Sequence, residues 1–123
     1  MLRVLVVDDC PDTVTSLHLL LRSWGHEARV ATDGLTALKI AVSLPLDVVL
    51  LDLAMPEIDG YRVAKCLRQL DSRKPIIIAH SGYCKEADVR RALEVGCNYH
   101  LPKPAEPDEL KRLLDSCEHW LQR

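Results

Sequence analysis

Five polar residues stand where apolar stretches of this chain run out. Asp8 and Asp9 follow Val4-Leu5-Val6-Val7, Asp52 closes Val48-Val49-Leu50-Leu51, Ser81 lies just beyond Pro75-Ile76-Ile77-Ile78-Ala79, and Lys103 follows Leu101-Pro102. If these ends converge, three ionised carboxylates meet, and each pair repels by about 4 kcal/mol at about 4 Å and an effective dielectric of about 20. A divalent cation, or raised pKa values, must offset that repulsion. Carboxylate oxygens with open coordination positions suit Mg²⁺, which keeps several waters and bridges to phosphate oxygens. Lys103 adds a point positive charge and Ser81 a hydroxyl donor. Acids, cation, lysine and hydroxyl together suit phosphoryl chemistry, with a carboxylate as covalent acceptor.

Convergence requires a scaffold, and the hydrophobic pattern describes one. Val4–Val7, 48–52 and 75–79 are continuous apolar runs, the mark of strands covered on both faces, whereas Glu27 to Ala31 and Asn98 to Leu101 are shorter candidates. Between them lie helical periodicities. Val14, Leu17, Leu20, Leu21 and Trp24 recur every three or four residues after Pro11 and stop at Gly25. Leu35, Leu38, Ala41 and Val42 follow Gly34 and end near Pro45. Val63, Ala64, Leu67 and Leu70 follow Asp59-Gly60, a helix around 87–95 stops at Gly96, and Leu110, Leu113, Leu114, Cys117 and Leu121 stripe the last helix. Met55-Pro56 ends the central strand's reach, since proline lacks the ladder donor.

Strand and helix alternate five times, which implies right-handed crossovers and a single α/β domain over residues 1–123, a doubly wound parallel sheet with helices on both faces. Ligands of such sheets bind outside the carboxyl ends of the strands, where the five polar residues fall. The totals agree with one domain. A chain of 123 residues with 48% hydrophobic and 28% charged residues can bury a core without staples. A net charge of -2 and no basic tract speak against nucleic-acid binding by this domain alone. The cysteines, Cys10, Cys66, Cys84, Cys97 and Cys117, show no metal or redox spacing and fit a reduced cytoplasm. No apolar run approaches the about 20 residues a membrane span needs, and no signal peptide pattern is visible.

On these residues the chain resembles the receiver domains of two-component response regulators, over essentially its whole length. The matches are Asp8-Asp9, Asp52 in Leu51-Asp52-Leu53-Ala54-Met55-Pro56 with Asp59-Gly60 beyond it, Ser81, and Lys103-Pro104. Five matches in order and in register with the strands form a specific signature. The resemblance implies a (βα)5 fold with strand order 2-1-3-4-5. It implies Asp52 as phosphoacceptor, attacking the phosphohistidine of a sensor histidine kinase or phosphotransfer protein. Asp8, Asp9, Asp52 and the Ala54 carbonyl would hold Mg²⁺, for which Mn²⁺ can substitute. Lys103 and Ser81 would each bind a phosphoryl oxygen, and the Lys103-Pro104 peptide would be cis, as proline permits. A downstream effector or output domain would read the face of the fourth helix, fifth strand and fifth helix. The module would signal rather than catalyse, assisting only its own phosphorylation and dephosphorylation.

Departures from the family pattern carry expectations of their own. The switch aromatic expected three residues before the lysine is His100, with Tyr99 one place earlier; His100 is read as the switch side chain beside Ser81. Ala54 and Tyr83, each two residues past a site residue, would tune phosphoryl lifetime. Gly82-Tyr83, His100-Leu101 and Ala105 resemble receivers attached to hybrid histidine kinases, while Met1 directly before the first strand resembles a free-standing or N-terminal receiver. Asp59 is read as a helix cap, His18, His26 and His119 as surface residues, and Cys84 is flagged for redox sensitivity.

Rival functions fit less well. A small-molecule phosphotransferase or phosphatase needs a substrate cap for which 123 residues leave no insertion. A flavodoxin-like cofactor binder needs a glycine- or hydroxyl-rich phosphate loop after Val7. A phosphorylation-independent adaptor of the same fold would have lost site residues, and all are present.

Overall fold

The computed structural model describes residues 1–55, 59–70, 75–82 and 86–122. Pro56, Tyr83 and Cys84 lie outside them. In chain order the elements are β1 (Arg3–Val7), α1 (Pro11–Ser23), β2 (Glu27–Ala31), α2 (Gly34–Ser43), β3 (Val48–Leu51), α3 (Gly60–Gln69), β4 (Ile76–Ser81), α4 (Glu86–Glu94), β5 (Tyr99–Pro102) and α5 (Pro107–Leu121). All five strands are parallel, in the order β2-β1-β3-β4-β5. Pro11 and Pro107 each start a helix, where the missing N–H has no intrahelical partner to lose. Gly25 and Gly96 end α1 and α4 with φ of 88° and 106°, a left-handed conformation that side chains resist.

Because strand side chains alternate, the sheet divides the core in two. Leu5, Val7, Val49, Leu51, Ile77 and Ala79 face α2, α3 and α4, where Ala37, Val63, Ala64, Leu67 and Ala92 pack on them. Val4, Val6, Val48, Leu50, Ile76, Ile78 and Leu101 face α1 and α5, against Val14, Leu21, Leu110 and Leu114. The register runs Val7↔Leu51, Leu51↔Ala79 and Ala79↔His100 across four strands. One residue further on are Asp8, Asp52 and His80, level with one another on the α1/α5 face. That alignment assembles the site.

One expected stripe is rotated. In α2 the buried line is Gly34 and Ala37, with Leu38, Ile40 and Ala41 partly covered, while Leu35 and Val42 are 55% and 67% exposed. The helix begins at Gly34, capped by Asp33, whose carboxylate accepts from the Thr36 amide at 2.7 Å. That start sets the phase, and Leu35 and Val42 each fall about 100° round from the buried line.

Candidate functional site

At the carboxyl edge of the sheet, Asp8 is 2% and Asp52 5% exposed, while Asp9 faces solvent. Backbone bonds continue the strands into the site: the Asp8 amide donates to Ala31 at 3.1 Å and the Asp52 amide to Val7 at 2.9 Å. One oxygen of each buried acid is tied locally. Asp8 Oδ1 accepts from the Cys10 amide and Asp52 Oδ1 from the Ala54 amide, both at 3.0 Å. The other oxygens face Lys103. Its Nζ lies 2.6 Å from Asp8 Oδ2 and 3.5 Å from Asp52 Oδ2.

Oxygens of Asp8, Asp9 and Asp52 lie within 4.8 Å of one another. Burial pushes the Asp52 carboxyl above its ordinary range, and the charges of Asp8 and Asp9 push the same way, against the Ala54 N–H and Lys103. Burial alone would lower the Lys103 amine, but its bond to Asp8 and the charges of both acids outweigh that and raise it. The lysine is therefore held charged, and one cation still faces three acids. Hard oxygen donors in surplus fit a divalent cation such as Mg²⁺.

Two backbone devices fix this geometry. The Lys103 amide donates to Ser81 O at 2.9 Å, and the Lys103-Pro104 peptide is cis. Ser81, the last residue of β4, is fully buried beside that connection. On the other side, Gly60 opens α3 directly on the backbone carrying Asp52. A Cβ there would sit 2.2 Å from the Asp52 carbonyl oxygen and 2.5 Å from Leu53 Cα, so only glycine fits. The Gly60 amide donates to Leu53 O at 3.1 Å, and Asp59 caps the helix by accepting from the Arg62 amide at 2.9 Å. Asp59 is thus a cap, as its spacing suggested.

Ala54 is exposed at the mouth of the site and leaves it open. His100 is on the opposite sheet face from Leu101, half-buried, with its Nε2 covered and without a hydrogen-bond partner among the described residues. Tyr99 is exposed on the other face. His26 departs from a plain surface role, since its Nδ1 accepts from the Leu2 amide at 3.0 Å. The residue sequence reasoning passed over is His80. It is 9% exposed, its Nε2 is also without a partner among the described residues, and burial, with the Lys103 charge, lowers its pKa to about 4. A histidine inside an apolar strand run was the available signal.

Comparison with known proteins agrees with this geometry. A sequence model of the response regulator receiver domain matches residues 4–115. The chain is 36% identical over 113 residues to Sensor histidine kinase RcsC of Escherichia coli strain K12, covering 92% of this chain and 12% of the kinase. It is 39% identical over 102 residues to Transcriptional regulatory protein PrrA of Mycobacterium tuberculosis, covering 83% of this chain and 43% of that regulator. The chain spans less than half the length of either relative. The solved structure of Vibrio cholerae chemotaxis protein CheY4 aligns with a TM-score of 0.90 at 28% identity, over 95% of this chain and 98% of CheY4. A family model that runs through all five strands, on a fold shared with CheY4 almost end to end, makes this chain a member of the response regulator receiver domain family.

Proposed function

We propose that this chain is the phosphoacceptor domain of a two-component or phosphorelay system, with Asp52 receiving the phosphoryl group. The observation that carries the reading is the buried Asp52 carboxylate, within 4.8 Å of Asp8 and Asp9 and 3.5 Å from the Lys103 ammonium. In the transfer, an Asp52 oxygen attacks the phosphorus of a phosphohistidine on a sensor histidine kinase or phosphotransfer protein. A P–O bond forms, the P–N bond breaks, and the imidazole leaves with its electron pair. Asp8, Asp9, Asp52 and the Ala54 carbonyl would hold Mg²⁺, or Mn²⁺ in its place, and the bound ion supplies charge neutralisation at the phosphoryl oxygens.

The chain's own residues do the rest. Lys103, already charged and pointed between the two acids, takes a phosphoryl oxygen as its bond to Asp8 loosens. The Ser81 hydroxyl donates to another. The aspartyl phosphate adds negative charge and acceptor oxygens that are satisfied only with Ser81 drawn inward, so phosphorylation favours one of two populations. His100, on the α4 side of β5 with an unsatisfied ring nitrogen, follows as the switch side chain, and a partner reads the change at the α4, β5 and α5 face. Ala54 leaves hydrolytic water a path, and Tyr83 would narrow it. The domain is a signalling module rather than an enzyme, and it acts in the cytoplasm. Among the described residues no helix is long and apolar enough to cross a membrane.

Incubation with acetyl phosphate and Mg²⁺, followed by intact mass measurement, tests the assignment. One phosphoryl adduct is expected on the wild type and none on Asp52→Asn. No adduct on the wild type, or an adduct that persists in the variant, overturns it.

A further inference from the structure

His80 is the one site-level residue to which the transfer chemistry above gives no task. Register puts it one step past Leu51↔Ala79, level with Asp52, and pairs it with Leu101 on β5, two residues before Lys103. Its side chain lies on the α1/α5 face, opposite to Ala79 and continuing the line of Ile76 and Ile78. On the same level and face are Asp8 and Asp52, with Lys103 between them. The charges of Lys103, Asp8 and His100 all reach the ring.

Packing does not explain a histidine here. The residues that continue its line on this face, Ile76 and Ile78, and its partner Leu101 on β5 are apolar, and an isoleucine or leucine would fill the layer without a polar atom. Instead a buried Nε2 sits without a hydrogen-bond partner among the described residues, which is uncommon in native proteins and leaves an acceptor open to a donor in another state. Lys103 supplies the complement. Its ammonium has three donors; Asp8 takes one at 2.6 Å, and Asp52 stands at 3.5 Å.

Building on the phosphoacceptor reading, we propose that His80 is a positioning residue for Lys103: its Nε2 accepts a hydrogen bond from the Lys103 ammonium when that amine leaves Asp8 for a phosphoryl oxygen. The ring is neutral at neutral pH, so it offers a lone pair and adds no charge to repel the lysine. The bond would hold the ammonium over the phosphoryl group at the moment when it gives up its closest acid. His80 on β4 then works from the sheet face opposite His100 on β5, and the two imidazoles have separate tasks.

Histidine-selective 15N NMR of the whole chain, with and without Mg²⁺ and beryllofluoride as phosphoryl mimic, reads the bond directly. His80→Gln identifies the signals. The Nε2 resonance is expected to move to a hydrogen-bonded value on adding the mimic, with the ring still neutral; an unchanged resonance in a protein whose Asp52 environment has responded overturns the proposal. Kinetics give a second reading. His80→Leu is expected to slow acetyl-phosphate labelling about ten- to a hundredfold, the worth of one hydrogen bond to a charged group, with Tm equal to or above wild type, and His80→Gln to recover part of the rate. A wild-type rate in His80→Leu, or equal slowing in both variants with lowered Tm, makes His80 a packing residue and overturns the assignment. A wild type that takes no phosphoryl group at all refutes the phosphoacceptor reading instead, which separates the two failures.

Discussion

Lys103 Nζ is bonded to Asp8 at 2.6 Å, about 1 Å nearer than it stands to Asp52, the acid that carries the proposed chemistry. The unmodified domain therefore stores its cation on the neighbouring acid. Lys103→Ala should still permit labelling of Asp52 but blunt the conformational response, because the acceptor keeps its backbone position while the phosphoryl group loses its counter-charge. Chemical-shift changes on adding beryllofluoride measure that response, and a full response in the variant would sink the signalling role given to the lysine.

Asp52 itself carries a cost in the resting domain. Its carboxyl is raised by burial and then by Asp8 and Asp9, so at pH 7.5 the folded state holds a charge the unfolded chain bears more easily. Asp52→Asn should raise Tm by about 2–5 °C. Mg²⁺ should raise the Tm of the wild type more than that of the variant; equal shifts in a calorimetric titration would argue against a cation among these acids.

Gly60 has no room for a side chain. Gly60→Ala would drive Cβ into the Asp52 carbonyl, and backbone there cannot yield without moving the acceptor. A loss of about 2–3 kcal/mol in urea unfolding is expected, together with slower labelling of Asp52. Normal stability and rate would show that α3 can shift independently of β3.

Arg68 clamps the far end of the sheet. Its guanidinium donates to Gly96 O and Pro75 O, both at 2.7 Å, and to Asn98 Oδ1, joining α3 to the start of β4 and the α4–β5 turn. Asn98 Oδ1 in turn accepts from the Ile77 amide at 2.8 Å. Arg68→Ala should cost about 2–3 kcal/mol, and Arg68→Lys should recover only part, since one ammonium cannot span the fork. The denaturation midpoint measures both, and an unchanged midpoint in Arg68→Ala would remove the clamp.

Acid should destabilise the domain through its buried histidine. His80 has its pKa depressed from 6.5 to about 4, so between those values the unfolded chain binds a proton that the folded state refuses. Stability is then lost as pH falls from 6.5 toward 4, by on the order of 3 kcal/mol. His26, lowered by burial, adds to this with the same sign, and raised Asp52 opposes it. His80→Leu should flatten the stability profile in that window. A profile as steep as the wild type's would assign the acid sensitivity to other groups.

How far the sequence could be read follows from the kind of signal each residue carries. Strand runs, helix periods and the glycine and proline stops are local, so the alternation of β1 to α5 and its parallel class followed from composition and spacing alone. Asp8, Asp9, Asp52, Ser81 and Lys103 were visible because each ends an apolar run, and a polar residue there has no packing role. The strand order itself came from resemblance, because local pattern does not say which neighbour a strand chooses.

Tertiary structure decided what depends on phase and register. The turn at Gly34 rotated α2 and left Leu35 and Val42 in solvent. The 2.6 Å bond sent Lys103 to Asp8 rather than Asp52. His80 became a site residue only when β3 and β4 aligned one step past Leu51 and Ala79. Periodicity tells which face a side chain takes, but level and distance are set between strands far apart in the chain, and no local pattern encodes them.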